Sequence, residues 1–471
     1  MTKTESDSEG ASGATTWMRW GQGSVVGGLR VLLLSLNWTR TKDPRTPLAT
    51  AYLCSWLSVQ RDLWPKIRVG FLDKDVKTPV SEVARDVTAD DPGVLGIGVY
   101  VWNNLAVGTL VRDLRSKGFR GKIVLGGPEI SYATDDLPSE FVGADYFVKG
   151  EGEVAFEEIL RATEEGRVAC GPGIFTANSA SFEGQAHLPK GVEPVQPQSV
   201  PELLPLIVKN GFGRIEFQRG CIYGCTFCAF PFKDRAFQKT GLGSITTDLR
   251  NLRSSGVREL AILDPVFFVD KSRALDILRA LEQELPRVRL EIQSRLEHLD
   301  VVLIEQLAKM NVLLECGVQS LDPVVERAIK RAGDPRTIEE SLQRLHQRGI
   351  AFETHLIFGL PFQTLESLLS DIDYLLRFQP KRLRLFPLLD HRGTELSAQT
   401  RTTFKGRLTF ADTFPRQVVE TEWMSREEIS ALVLLHEILE ESPDPWKDFS
   451  TTKAPFAQAL AAVHSAFKRG A

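Results

Sequence analysis

The apolar positions of the chain fall into two blocks of short hydrophobic runs alternating with amphipathic stretches, separated by a polar, proline-punctuated segment. In the first block the runs at 30–36, 67–72, 94–101, 122–127 and 146–150 have the length of buried strands. Between and after them the spacing predicts helices over 48–58, 106–117 and 153–162. Strands alternating with helices imply a doubly wound, Rossmann-like parallel sheet over 29–165. Such sheets bind ligands outside the carboxyl ends of their strands. The second block, 211–396, holds six strand-helix units, with strands at 214–217, 259–264, 289–294, 313–318, 351–357 and 382–388. Six units in order imply a partial (βα)6 barrel, whose reactive residues belong at the strands' carboxyl ends.

The remaining segments frame these blocks. Residues 1–28, rich in Ser, Thr and Gly, read as a disordered tail, with Trp17 and Trp20 as anchors for its end. Residues 166–210 carry Pro189, Pro194, Pro197, Pro201 and Pro205 and read as a linker, with a small hairpin over 174–187. Residues 397–471 form a C-terminal region with amphipathic helices predicted over 425–440 and 455–468. A length of 471 residues fits two or three domains. The net charge of −4 gives no overall basic footprint, which argues against nucleic-acid binding. No apolar run is long enough to span a membrane and no signal-peptide pattern opens the chain, so a cytoplasmic protein is expected.

Six cysteines are too few for a disulfide framework, but three of them stand together in Arg219-Gly220-Cys221-Ile222-Tyr223-Gly224-Cys225-Thr226-Phe227-Cys228. A cubane iron–sulfur cluster takes four thiolates. Three local ones hold three irons and leave the fourth to a ligand that is not protein. A structural zinc site is the competing reading; it normally needs a second cysteine pair, which this chain lacks. Cys54 and Cys316 lie in apolar stretches and read as core residues.

This C-x3-C-x2-C stretch resembles the cluster loop of the radical S-adenosylmethionine (SAM) superfamily. The resemblance implies a [4Fe–4S] cluster on Cys221, Cys225 and Cys228, with SAM on the open iron and Phe227 beside its adenine. The element Glu315-Cys316-Gly317-Val318-Gln319-Ser320 resembles the family's E-x-G-x-Q-S. By that match Glu315 and Gln319 point toward SAM and substrate, and Arg331 reaches the SAM carboxylate. His355-Leu356-Ile357-Phe358-Gly359-Leu360-Pro361 matches the strand-five element, whose backbone at Phe358 and Gly359 contacts adenine. Gln293, ending strand three, is expected near SAM. The first block, through Gly126-Gly127-Pro128-Glu129 and Gly150-Glu151-Gly152-Glu153, resembles the cobalamin-binding domain that precedes many radical SAM domains. No D-x-H-x-x-G is present, and Trp102 stands where the family usually has small residues that admit the nucleotide tail. Cobalamin is therefore not favoured, and a vestigial, structural sheet is the alternative.

Three functions compete. The first is a radical SAM enzyme that takes a hydrogen atom from a small polyhydroxylated substrate. Domain order and length resemble the 1,2-diol dehydratases of aminoglycoside 3′-deoxygenation in antibiotic biosynthesis. That resemblance implies loss of water, a reducing partner for the cluster and a separate reductase that completes deoxygenation. Glu216, Asp264 and His355 are the catalytic candidates, and Tyr223 and Asp390 the substrate contacts. The second is a cobalamin-dependent radical SAM methyltransferase of natural-product biosynthesis. The third is a non-catalytic electron-transfer or scaffold protein.

Overall fold

The computed structural model describes residues 15–18, 28–38, 46–133, 137–230, 238–331 and 333–441. They form two units, divided after Leu206.

The first unit is built on β1 (Leu29–Asn37), β2 (Ile67–Asp75), β3 (Val94–Gly98), β4 (Lys122–Gly126) and β5 (Tyr146–Val148). They lie parallel in the order β2-β1-β3-β4-β5. Two-residue strands close the edges antiparallel, Thr16–Trp17 on β2 and Ile174–Phe175 on β5. Alternation along β1 divides the core. Leu32 and Leu34 pack with α2 (Val80–Asp90) and α3 (Asn104–Ser116) on one face. Val31 and Leu33 pack with α1 (Leu48–Ser58) and α4 (Gly152–Glu164) on the other. A strand covered on both faces must be apolar throughout, which is why Val31-Leu32-Leu33-Leu34 carries no polar residue.

Three expectations change here. Thr16–Trp17 is ordered within what reads as a tail; Trp17 lies against Gly70, where a Cβ would meet its ring at 2.8 Å. The stretch read as a linker packs instead as part of this unit. Phe175 and Phe182 enter one core, Ala186, Val200 and Leu203 the other, and Gln196 accepts from the Tyr52 hydroxyl at 2.7 Å. Its polar composition hid these few apolar anchors. The predicted hairpin does not form: Ile174–Phe175 pairs with β5, and Ala186 bridges Gly150. The helix expected over 455–468 lies outside the described residues.

The second unit holds β6 (Phe212–Ile215), β7 (Glu259–Ile262), β8 (Arg289–Ser294), β9 (Val312–Gln319), β10 (Ala351–Phe358) and β11 (Arg382–Pro387). They form one parallel sheet in sequence order, unclosed between β6 and β11. The connecting helices include α5 (Leu242–Ser254), α6 (Lys271–Glu284), α7 (Val301–Leu307), α8 (Pro323–Ala328), α9 (Pro335–Gln347) and α10 (Leu365–Leu376). Side-chain caps start several of them: Asp270, Asp300, Asp322, Asp334 and Thr364 each accept from a first-turn N–H. This is the partial barrel the periodicity implies. Helix α11 (Arg426–Glu441) follows a short hairpin of Leu408–Phe410 with Val418–Thr421.

Candidate active site at the carboxyl ends of the barrel strands

The cysteine loop leaves the carboxyl end of β6 through Gly220, whose φ of +101° an L-residue rarely adopts. Cys225 is buried, while Cys221 and Cys228 are half-exposed. The Cys228 N–H donates to the Cys225 carbonyl at 3.2 Å, and the Phe230 N–H to Cys228 Sγ at 3.4 Å. Thr226 is tied on both sides: its N–H donates to Ile329 O at 3.0 Å, and its carbonyl accepts from Leu396 N–H at 2.9 Å. Arg331 Nη1 lies 3.7 Å from Cys225 Sγ. Burial pushes the Cys221 thiol up, while Arg331 and Arg295 pull the other way. Three soft thiols on one loop beside two guanidiniums suit a thiolate-held, anionic cluster, although among the described residues no three His, Cys, Asp or Glu already enclose a metal position. Phe227 is half-buried within the loop.

The carboxylates of the first two strands are held by the protein. Glu216 Oε2 accepts from Arg219 Nε at 2.9 Å, an i,i+3 pair across the start of the loop. Asp264 is 2% exposed, and its Oδ1 accepts from Phe217 N–H at 2.7 Å and Gln218 N–H at 3.3 Å. Burial, with nearby Glu216 adding to it, pushes its carboxyl up to about 8. Asp264 thus fixes the turn that launches the cysteine loop. Tyr223 turns toward the end of β8, where its hydroxyl lies 2.6 Å from His298 Nε2 and Arg295 stacks 4.0 Å over its ring. Arg295 also donates to Glu297 at 2.7 Å.

Across β8, β9 and β10 the register sets Gln293 beside Glu315 and Glu315 beside Glu353. Gln293 is exposed. Glu353 is buried and lies 3.6 Å from His355 Nε2 and 3.2 Å from Arg382. Burial raises its pKa, but His355, Arg384 and Arg382 outweigh this and hold it below the usual range. His355 also meets Phe386 edge-on at 5.5 Å, so its ring is packed against protein on two sides. The register of β9 shifts between Gly317 and Gln319. Gln319 there adopts φ +73°, unusual for a non-glycine residue, and its Oε1 is buried without a partner. Asp371 of α10 grips the next two residues, accepting from Ser320 Oγ at 2.9 Å and Leu321 N–H at 3.0 Å.

Protein groups also stand at several positions where SAM contacts are expected. Arg331 donates to the carbonyls of Gly317 and Val318. The Phe358 carbonyl accepts from Leu388 N–H at 3.0 Å. Gly359 has φ +83°, and a Cβ there would meet Val418 at 2.7 Å. Asp390, expected as a substrate contact, pairs with Arg416 at 2.8 Å and binds the loop after β11 to the hairpin; its other oxygen is buried and unpartnered. His298 and Asp371 escaped the sequence reading. The signals were a histidine just past a barrel strand and a carboxylate within the apolar Leu368–Ile372–Leu375 stripe of α10.

In the first unit the strand order reverses between β1 and β3, the place where such sheets bind nucleotides. Here Asn103 Nδ2 bridges Leu36 O at 3.1 Å and Gly98 O at 3.0 Å. Trp102 Nε1 donates to Leu36 O at 3.2 Å, and its ring stacks on Tyr100 at 4.6 Å. The glycines are used by the chain itself: a Cβ on Gly127 would meet Val99 O at 2.7 Å, and one on Gly150 would meet Ala186 O at 2.3 Å. At the β1–β3 crevice Asn103 and the glycines thus serve contacts within the chain, while Trp102 is exposed.

The sequence patterns of known families match both units. That of the Radical SAM superfamily matches residues 215–375, and that of the B12 binding domain matches 47–160. An uncharacterised methyltransferase of Pyrococcus horikoshii is 24% identical over 70% of this chain and 72% of its own length. The 2-(S-pantetheinyl)-carbapenam-3-carboxylate methyltransferase of Streptantibioticus cattleyicolor is 26% identical over 74% of this chain, which spans 53% of that protein. Among solved structures, the methyltransferase TsrM from Kitasatospora setae, with cobalamin and a [4Fe–4S] cluster bound, has a TM-score of 0.65 at 19% identity, covering 82% of this chain and 78% of that one. The cobalamin-dependent enzyme OxsB has a TM-score of 0.58 at 16% identity over 80% and 56%. These matches run against the expectation that cobalamin is not favoured, and none of them carries the dehydratase resemblance.

Proposed function

We propose that this radical SAM enzyme, which carries a B12-binding domain ahead of its barrel, acts on a small polar molecule at the carboxyl ends of β6 to β11. The single observation that supports this most is the cysteine loop at the end of β6, tied to Ile329 and Leu396 with Arg331 against Cys225. The cluster would supply one electron for cleavage of SAM to a 5′-deoxyadenosyl radical. The chain's own residues hold the loop, line the opening and keep charged groups paired. Glu216, paired with Arg219, and His355, beside Glu353, are the polar groups we assign to substrate. A reducing partner would deliver the electron.

For the finer reaction, methyl transfer is the reading the comparisons support, through the B12 binding match and relatives named as methyltransferases. A second reading rests on a specific observation: the Tyr100–Trp102 stack and the Asn103 bridge stand at the crevice a cobalamin tail would enter. On that reading the radical takes a hydrogen atom from a hydroxyl-bearing carbon, the neighbouring hydroxyl leaves as water with the proton of the first carbon's hydroxyl, and the resulting carbonyl-stabilised radical is closed by one electron from the reducing partner and one proton. A dehydrated aminoglycoside diol would then need a separate reductase.

One experiment separates the two. Reconstituted enzyme is offered hydroxocobalamin, then SAM, a reductant and polyhydroxylated amines under argon. A stoichiometric corrin spectrum with S-adenosylhomocysteine formed supports methyl transfer. Release of 5′-deoxyadenosine without corrin or S-adenosylhomocysteine supports hydrogen abstraction. Absence of any SAM cleavage by iron-replete protein sinks both.

A further inference from the structure

The resemblance to radical SAM proteins assigns Arg331 to the carboxylate of SAM, but the structure surrounds it with other partners. Its Nε donates to Val318 O at 3.3 Å and its Nη2 to Gly317 O. Its Nη1 points at Cys225 Sγ, 3.7 Å away, within the range of a hydrogen bond to sulfur. Gly317 makes this approach practicable, since a Cβ there would lie 3.2 Å from Arg331 Nη2 and 2.8 Å from Gln319 Nε2. The same segment binds the cysteine loop a second time, through Thr226 N–H to Ile329 O at 3.0 Å. Cys225 is the buried member of the three cysteines.

We propose that Arg331 is a positioning residue for the cluster: it donates N–H to Cys225 Sγ, clamps the loop to the irregular end of β9 and raises the reduction potential of the cluster. A guanidinium stays charged at every accessible pH, and its planar fork can serve two carbonyls and a sulfur at once. Hydrogen bonds and positive charge at a ligating sulfur stabilise the more negative, reduced cluster. Lysine offers the charge from a single point and cannot span all three acceptors. In reduction, one electron passes from an external donor to the cluster, and no bond to Arg331 forms or breaks.

The inference rests on the reading of the loop as a cluster site, and the two fail differently. If wild-type protein takes up no iron on anaerobic reconstitution, the cluster reading falls. The test of Arg331 uses full-length reconstituted protein without SAM, titrated with reductant against dyes of known potential and followed by electron paramagnetic resonance. Arg331→Met with four irons per chain should be harder to reduce. Its equilibrium with a given dye should move tenfold or more, about 59 mV for one electron. Arg331→Lys should fall between it and wild type, with an altered reduced-state signal. An unchanged potential and signal in iron-replete Arg331→Met, with only SAM affinity lowered, would return the residue to the SAM carboxylate and overturn the proposal. If Arg331→Met assembles no cluster, Arg331→Lys decides: a shift of threefold or more in the dye equilibrium upholds the contact, and a wild-type value removes it.

Discussion

The hydroxyl of Tyr223 and Nε2 of His298 lie 2.6 Å apart, which ties the exposed half of the cysteine loop to the turn after β8. Burial, together with Arg295, holds His298 below the ordinary histidine range despite Glu297 nearby, so the imidazole is neutral at pH 7. Tyr223→Phe deletes this contact and keeps the ring under Arg295. We expect a loss of about 1 kcal/mol in urea unfolding and faster release of iron in air. Iron retention equal to wild type over the same exposure would show that the pair does not latch the loop.

Replacing Cys221, Cys225 and Cys228 together by Ala should abolish the brown chromophore and SAM cleavage while leaving the strands in place. Iron analysis and circular dichroism check this. A triple variant that still binds four irons per chain would remove the cluster from this loop.

Asp264 carries a pH signature. Its carboxyl, raised by burial to about 8, stays protonated in the folded protein while the unfolded chain releases the proton near 3.8. Between these values the folded state binds more protons, so stability falls as pH rises from about 4 to about 8. Asp264→Asn keeps an oxygen for the Phe217 and Gln218 N–H groups and removes the titration. It should flatten that slope, worth on the order of a few kcal/mol across the window. Denaturation midpoints at pH 5 and pH 8 are the measurement, and parallel pH profiles for variant and wild type would contradict the assignment.

Asp371 holds Ser320 and Leu321 just after Gln319. Asp371→Ala strands a buried hydroxyl and an N–H, at a cost of about 2 kcal/mol. With its brace gone, Gln319 should relax from the left-handed conformation. Calorimetry of SAM binding to the reconstituted variant should show affinity lowered severalfold, and wild-type affinity would mean that the brace serves stability alone.

Trp102→Ser tests the crevice. Removing the indole takes away its stack on Tyr100 and its bond to Leu36 O. If the stack is what excludes cobalamin, the variant should bind hydroxocobalamin at least tenfold more tightly than wild type by equilibrium dialysis. Equal, tight binding by both proteins would show that the ring swings aside at little cost.

The two sheets were legible because each strand is a short apolar run between helices, and the barrel followed from six such units in order. The cysteine loop was legible because its ligands are local in sequence. What could not be read were partners set by register and by turns. Glu216 pairs with Arg219, three residues on, because the chain turns back at once after β6, and no strand pattern points to that partner. Arg331 meets Cys225 beside the point where β9 shifts register between Gly317 and Gln319, and no local pattern announces that shift. The segment 166–206 misled through its prolines and glutamines, since a few apolar residues suffice to seat it on the sheet.

The small strand Thr16–Trp17 has a practical consequence. It occupies Gly70 and Phe71 at the outer edge of β2, with the indole N–H on Asp90 at 3.1 Å and Arg30 over the ring at 4.7 Å. A nine-residue strand whose outer edge lacked this cover would offer its free backbone groups to any passing chain. Cutting the first eighteen residues would therefore bare the backbone of Gly70 and Phe71 at that edge and make it more open to pairing with a second chain. A shortened version of this protein should therefore keep Thr16 and Trp17.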